Sequence, residues 1–177
     1  MRWALCLVAF AVLSLTGGVV EAKGARSIGS PSEGTLVGGK KIEQGANLRL
    51  VGHLRYALPD LVAMLEASAD RVAKKHPGAV LTVGDLSAKD GGDVDGHRSH
   101  ESGRDADVGF YLLKGKKPFS AKRFATIDED GKAKGLPGVR FDDERNWTLV
   151  ESWLTSRRGR VLQIFVANHV RARLLAA

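Results

Sequence analysis

Apolar residues recur at helical spacing along "YALPDLVAMLEASADRVAKKHPG" (residues 56–78), where Leu61, Leu65 and Val72 share a face with Val62 and Ala69 beside them. Pro59 stands where a helix can begin, because a missing N–H costs nothing in the first turn. Asp60 and Glu66 lie in the first half and Arg71, Lys74 and Lys75 near the end, which suits the helix dipole. Pro77-Gly78 stops the helix, and His76 before it is expected to cap the end or to be solvated. "AVLTVGD" (79–85) predicts a short buried strand. After a long polar, glycine-rich loop, "DADVGFYLL" (105–113) alternates and then runs apolar, which predicts another strand. "DDERNWTLVESWLTS" (142–156) predicts a second helix, capped by Asp142 or Asp143, with Trp147, Val150 and Leu154 on one face. "RVLQIFVA" (160–167) predicts a strand, and "NHVRARLLAA" (168–177) a short helix with Asn168 as N-cap. The order helix, strand, strand, helix, strand, helix points to an α+β fold, a small antiparallel sheet with flanking helices, rather than a doubly wound sheet.

The pattern breaks down in three places. Residues 1–22 read as a secretory signal: Arg2, an apolar run from Trp3 to Val20, and a small-residue cleavage site after Ala22. Residues 23–47 are rich in Gly, Ser and Lys and predict a linker or a loosely packed arm. Residues 114–140 form a basic connector of little periodicity, with Phe119, Phe124 and Ile127 expected to tuck it against the core. A single domain over residues 48–177 remains.

Composition sharpens this picture. Cys6, inside the leader, is the only cysteine, so disulfides cannot staple the exported chain. Any metal it binds must use His, Asp or Glu. The net charge is +7, and loss of the leader removes Arg2 and Glu21, one charge of each sign. A basic surface favours anionic polymers. Nucleic acid is not expected, because the chain reads as exported, has 6% aromatic residues and shows no nucleic-acid-binding motif. Once the leader is cleaved, no stable membrane insertion is expected.

The candidate chemistry lies in "GHRSHESGRDADV" (96–108). His100 ends the glycine-rich loop and Asp107 follows seven residues later, with Gly103 between them to let the backbone turn. An imidazole and a carboxylate could converge there on one cation, and zinc accepts this mixture. His97 could be a ligand, a proton carrier or a substrate contact. Asp105 and Asp107, two apart, share a face on a regular strand, so one could ligate while the other supports the site. The bland alternative is a polar loop of turn residues. Ser99 or Ser102 beside these histidines is weak ground for a serine peptidase, since a triad is defined by geometry.

"VGDLSAKDGGDVDGHRSHESGRDADVGFYL" (83–112) resembles the core of the penicillin-insensitive murein endopeptidases, zinc peptidases grouped with lysostaphin, the D-Ala-D-Ala peptidases and the hedgehog signalling domain. His100, Gly103 and Asp107 match the group's motif, while Val83 to Asp85, Gly91, Gly92 and the doubled His97/His100 match the endopeptidase branch. "IFVANHVRARLL" is similar to a later strand and helix of the family. The resemblance implies a hedgehog/D-Ala-D-Ala peptidase-like fold, zinc held by His100 and Asp107, and hydrolysis of D-alanyl cross-links in periplasmic peptidoglycan. His97 and Asp105 are expected in or next to the ligand set, and Asp85 and Ser87 are expected to shape the entrance loop.

The family closes its site with a late His-x-His pair, which has no counterpart in this chain. The chain therefore reads as truncated at its C-terminus, and a catalytically incomplete homologue that only binds peptidoglycan is the alternative. His169 is not given the ligand role, and His53 is expected at the surface or in a substrate groove. Trp147, Trp153, Phe165 and Tyr111 are expected in the core.

Overall fold

The structure of the chain, a computed structural model, describes residues 7–11 and 24–177. The chain opens with β1 (Leu7–Ala11), β2 (Arg26–Ser30), β3 (Glu33–Val37), β4 (Lys40–Lys41), β5 (Leu48–Leu50) and β6 (Tyr56–Ala57). Helix α1 (Pro59–Lys75) is followed by β7 (Leu81–Val83), β8 (Asp105–Val108), β9 (Leu112–Lys114), β10 (Lys117–Phe119) and β11 (Val139–Phe141). Helix α2 (Asp143–Leu154), β12 (Val161–Phe165) and α3 (Asn168–Ala176) complete it. The fold is α+β. The leader expected over residues 1–22 lies outside the described residues, apart from the backbone of β1.

Each helix forms where the apolar spacing placed it. Helix α1 starts with Pro59 in its first turn, carries Asp60 there and Lys74 and Lys75 in the last, and buries Leu61, Val62, Met64, Leu65, Ala69 and Val72. Burying each large side chain is worth about 1.5–3 kcal/mol, which is what holds the helix on the sheet. His76 is its C-cap residue, and the His76 amide donates to the Val72 carbonyl at 2.8 Å. The ring reaches α2, with Nε2 3.1 Å from Thr148 Oγ1.

Helix α2 is capped by Asp142, whose carboxylate accepts from the Arg145 amide at 3.2 Å. Its buried face is Leu149, Val150 and Trp153, and Leu154 is exposed, which corrects the expected Trp147–Val150–Leu154 stripe. About a quarter turn of rotation, roughly one residue, separates the two stripes, and Trp153 takes the large buried position. The N-cap of α3 is Ala167 and not Asn168, which is already helical, and no side chain caps that end.

The main sheet has the order β12-β1-β8-β7-β5. β5 and β7 are parallel, with α1 as the crossover that a parallel pair needs, and the other pairs are antiparallel. The sheet is thus mixed, where an antiparallel one was expected. β10, β9 and β11 form a second, antiparallel sheet within the expected connector, which also buries Ile127. Tyr111 is in the core, as expected.

Residues 23–47, expected as a linker or loose arm, carry the β2–β3 hairpin and β4, with Leu36 and Ile42 fully buried. Their Gly, Ser and Lys content reflects an exposed hairpin with few apolar anchors. Beyond Val83 a β-bulge places Gly84 and Asp85 together opposite Asp107: the Gly84 amide donates to the Asp107 carbonyl at 2.8 Å, and the Asp107 amide to the Asp85 carbonyl at 2.9 Å. That bulge sets Asp85 against Asp107 at the mouth of the loop running from residue 86 to 104.

Candidate metal centre

Two elements bring the polar cluster together. β8 alternates, so Asp105 and Asp107 project on one face while Ala106 enters the core on the other. The loop before it returns over that face. Gly103 makes the return possible: its φ is +68°, and an added Cβ would lie 2.9 Å from the buried Leu36 side chain. The Gly103 carbonyl accepts from the Leu58 amide at 2.9 Å, which ties the turn to the start of α1.

The result is a compact set of groups. His100 is 3% exposed and Asp105 is fully buried. His100 Nε2 lies 3.4 Å from Asp107 Oδ1, and His100 Nδ1 lies 3.3 Å from Asp105 Oδ2. The imidazole therefore stands between two carboxylates. Its two nitrogens are not equivalent: one faces the half-buried Asp107, the other the interior. Ser99 Oγ donates to the same Asp105 oxygen at 2.6 Å. The His97 ring meets that of His100 edge-on, with centroids 4.9 Å apart. His97 Nε2 lies 3.5 Å from Asp85 Oδ2, while Asp85 Oδ1 accepts from the His53 and Leu54 amides at 2.7 and 2.9 Å.

Charge and burial oppose each other here. Burial disfavours a charged His100, but the Asp107 and Asp105 carboxylates outweigh it and raise its pKa above the ordinary value. Burial pushes the Asp105 carboxyl up, against the pull of His100 and Ser99. The His100 imidazole thus takes up a proton more readily than a free one, while burial works against ionisation of Asp105. One donor atom each from His97, His100 and Asp107 falls within 4.8 Å of the others, the spacing a single cation needs. His100 Nδ1 and Asp105 Oδ1 are buried without a fully formed hydrogen bond.

The remaining sequence candidates fall as follows. Asp85 joins the loop mouth to His97. Ser87 is completely buried, its carbonyl accepting from the Tyr56 amide at 3.0 Å, and Ser87 Oγ has no partner. His53 is exposed. His169 Nε2 lies 3.0 Å from the Ile127 carbonyl, a contact within the second sheet's connection. In the sequence Ser99 reads only as weak ground for a nucleophile; the structure makes it the hydrogen-bond partner of Asp105. The signal that could have found it is its position between the two histidines, one turn before a strand of alternating aspartates.

A small α+β domain with two histidines and a carboxylate converging on one point has the donor set of a divalent-cation site. Comparison with known proteins gives that class a family. The family model described as "Penicillin-insensitive murein endopeptidase" matches residues 27–176. The chain belongs to this family. The penicillin-insensitive murein endopeptidase of Klebsiella pneumoniae strain 342 is 34% identical over 89 residues, 48% of this chain and 32% of the relative. Those of Escherichia coli strain K12 / DH10B and Shigella boydii serotype 18 are 34% identical over 95 residues, 51% of this chain and 34% of each relative. The matched stretch spans about a third of the length of these relatives.

Proposed function

We propose that this chain is a zinc-dependent murein endopeptidase domain that hydrolyses D-alanyl cross-links of peptidoglycan in the periplasm, reached through the leader at residues 1–22. The observation that carries the reading is the convergence of His97, His100 and Asp107 within 4.8 Å. Their donor chemistry fits zinc, which takes imidazole nitrogen and carboxylate oxygen in a four-coordinate shell and leaves a position for water in catalytic sites. Bound zinc would supply an acidic water, its pKa brought to about 7, and polarise the scissile carbonyl.

The chain's own residues do the rest. His100 offers Nε2 on the Asp107 side. Asp105 stands behind Nδ1 at 3.3 Å, placed to hold the orientation of the ring. Ser99 holds the Asp105 carboxylate in turn. Asp85 faces His97 in the same way, with Oδ2 3.5 Å from Nε2. The net charge of +7 suits an anionic wall polymer. Among the described residues no helix is long and apolar enough to cross a membrane.

The test is digestion of cross-linked peptidoglycan by the purified chain, read as conversion of dimeric to monomeric muropeptides. Cleavage that stops with a chelator and returns with zinc is the expected result. Cleavage indifferent to the chelator would overturn the zinc reading. The second reading is a peptidoglycan-binding homologue without activity, which the net charge of +7 also suits. Co-sedimentation with peptidoglycan in the absence of any cleavage would establish it instead.

A further inference from the structure

The β2–β3 hairpin does little for the core. Its strands are mostly exposed, Ile28 and Val37 among them, and Leu36 is its one fully buried apolar anchor. Its polar contacts go elsewhere. The Leu36 amide donates to the Asp90 carbonyl at 3.0 Å, and Thr35 bridges Gly91. Arg104 donates to the Gly29 carbonyl. At the centre stands Glu101, the residue after His100. Its amide donates to the Pro31 carbonyl at 3.1 Å, its carboxylate accepts from the Gly34 amide at 3.0 Å, and its carbonyl accepts from the Gly92 amide at 2.9 Å. The Gly92 amide also reaches the Gly34 carbonyl, at 3.1 Å. Every polar group of Glu101 is thus engaged by the hairpin turn or by the diglycine. Gly91 must be glycine for this packing, since a Cβ would strike the Glu101 carbonyl and the Leu36 amide, and its φ is +71°.

His100 itself has φ +80°, the one non-glycine residue with positive φ among the described residues. That conformation is unfavourable for a residue with a Cβ and persists only where the surroundings impose it. We propose that Glu101 is a positioning residue: it clamps the loop to the β2–β3 turn and so imposes the backbone conformation that sets His100 against Asp107 and Asp105. The inference rests on the metal-site reading for its consequence, but the clamp itself is a property of the metal-free chain.

The test uses the full chain with Glu101→Met, which keeps the stem and removes the acceptor, and Glu101→Gln, which keeps an acceptor for the Gly34 amide. Amide hydrogen exchange of Gly34 and residues 99–104 is measured without metal, and zinc affinity by competition with a chelator. Glu101→Met is expected to speed exchange across that segment and to weaken zinc binding about tenfold or more, the range for groups that orient a ligand. Glu101→Gln is expected to keep slow exchange and to bind zinc within a few-fold of the parent. Unchanged exchange in Glu101→Met overturns the clamp. Faster exchange with unchanged zinc affinity overturns its role in positioning His100. A parent chain that holds no zinc, with Gly34 still protected through Glu101, would defeat the metal reading and the positioning of a ligand while leaving the contact intact. Should Glu101→Met fail to fold, fast exchange of Gly34 in the parent would itself refute the clamp.

Discussion

The loop before β8 and the last twenty residues invert the usual distribution of side chains. At the first, His100, Ser87 and Ser102 are buried, with Asp105 buried at the start of β8 beside them. At the second, Leu162, Phe165 and Leu175 are 45%, 44% and 70% exposed. A buried polar group is costly unless it is paired, so its presence needs a reason that core packing does not supply. Exposed apolar residues cost little, so β12 and α3 need no such reason. The contrast teaches that the interior here is organised around a charge cluster, with the hydrophobic core built beside it on α1, β7 and α2.

Substitutions can break or sharpen this contrast, beginning with the largest effect. His100→Ala is expected to lower bound zinc from one ion per chain to near zero, because binding needs its ligands preformed and deprotonated. Metal content after gel filtration checks it. Trp153→Ala, in the hydrophobic core on α2, is expected to cost about 3–5 kcal/mol of stability in urea unfolding and to leave the cluster's chemistry in place if the chain stays folded. Asp105→Ala removes the group behind His100 Nδ1, and zinc affinity is expected to fall about 10–100-fold. Asp105→Asn, which keeps an acceptor, should lose less. Leu162→Ser, at the exposed end, is expected to stay within about 0.5 kcal/mol of the parent, which equilibrium unfolding can resolve.

The smallest effect concerns pH. Burial, with the nearby Arg145 and Lys75 charges, lowers the His76 pKa below its usual value. The folded chain therefore binds this proton less readily than the unfolded chain. The contribution is present above the unfolded pKa, near 6.5, and is lost as pH falls toward the lower folded value. His76→Gln should flatten the loss of thermal stability on acidification below about pH 6.5. An unchanged slope would remove His76 from the account.

Helix α1 was legible because Leu61, Leu65 and Val72 make an unambiguous apolar stripe, whereas in α2 the extent could be read but the buried face could not. The candidate ligands were legible because His97, His100, Asp105 and Asp107 are crowded into eleven positions, a density that turn chemistry alone does not require. What could not be read depends on contacts far apart in the chain. The hairpin at residues 26–37 reads as a loose arm because its hydrogen bonds to the rest of the fold are to residues 90–104, and backbone pairing leaves no mark on side-chain type. The parallel pairing of β5 with β7 was hidden for a similar reason: β5 has only three residues, too short for an alternation to register. The division of work between Asp105 and Asp107 was also closed to the sequence. Both sit on one face of β8, and only the placement of the His100 ring between them, Nδ1 toward one and Nε2 toward the other, tells them apart.

The most direct test of the central claim is zinc stoichiometry of the purified chain, measured beside His100→Ala and Asp107→Ala. The account predicts one zinc per chain in the parent and near none in either variant. A parent chain that retains no zinc, or variants that retain as much as the parent, would contradict it.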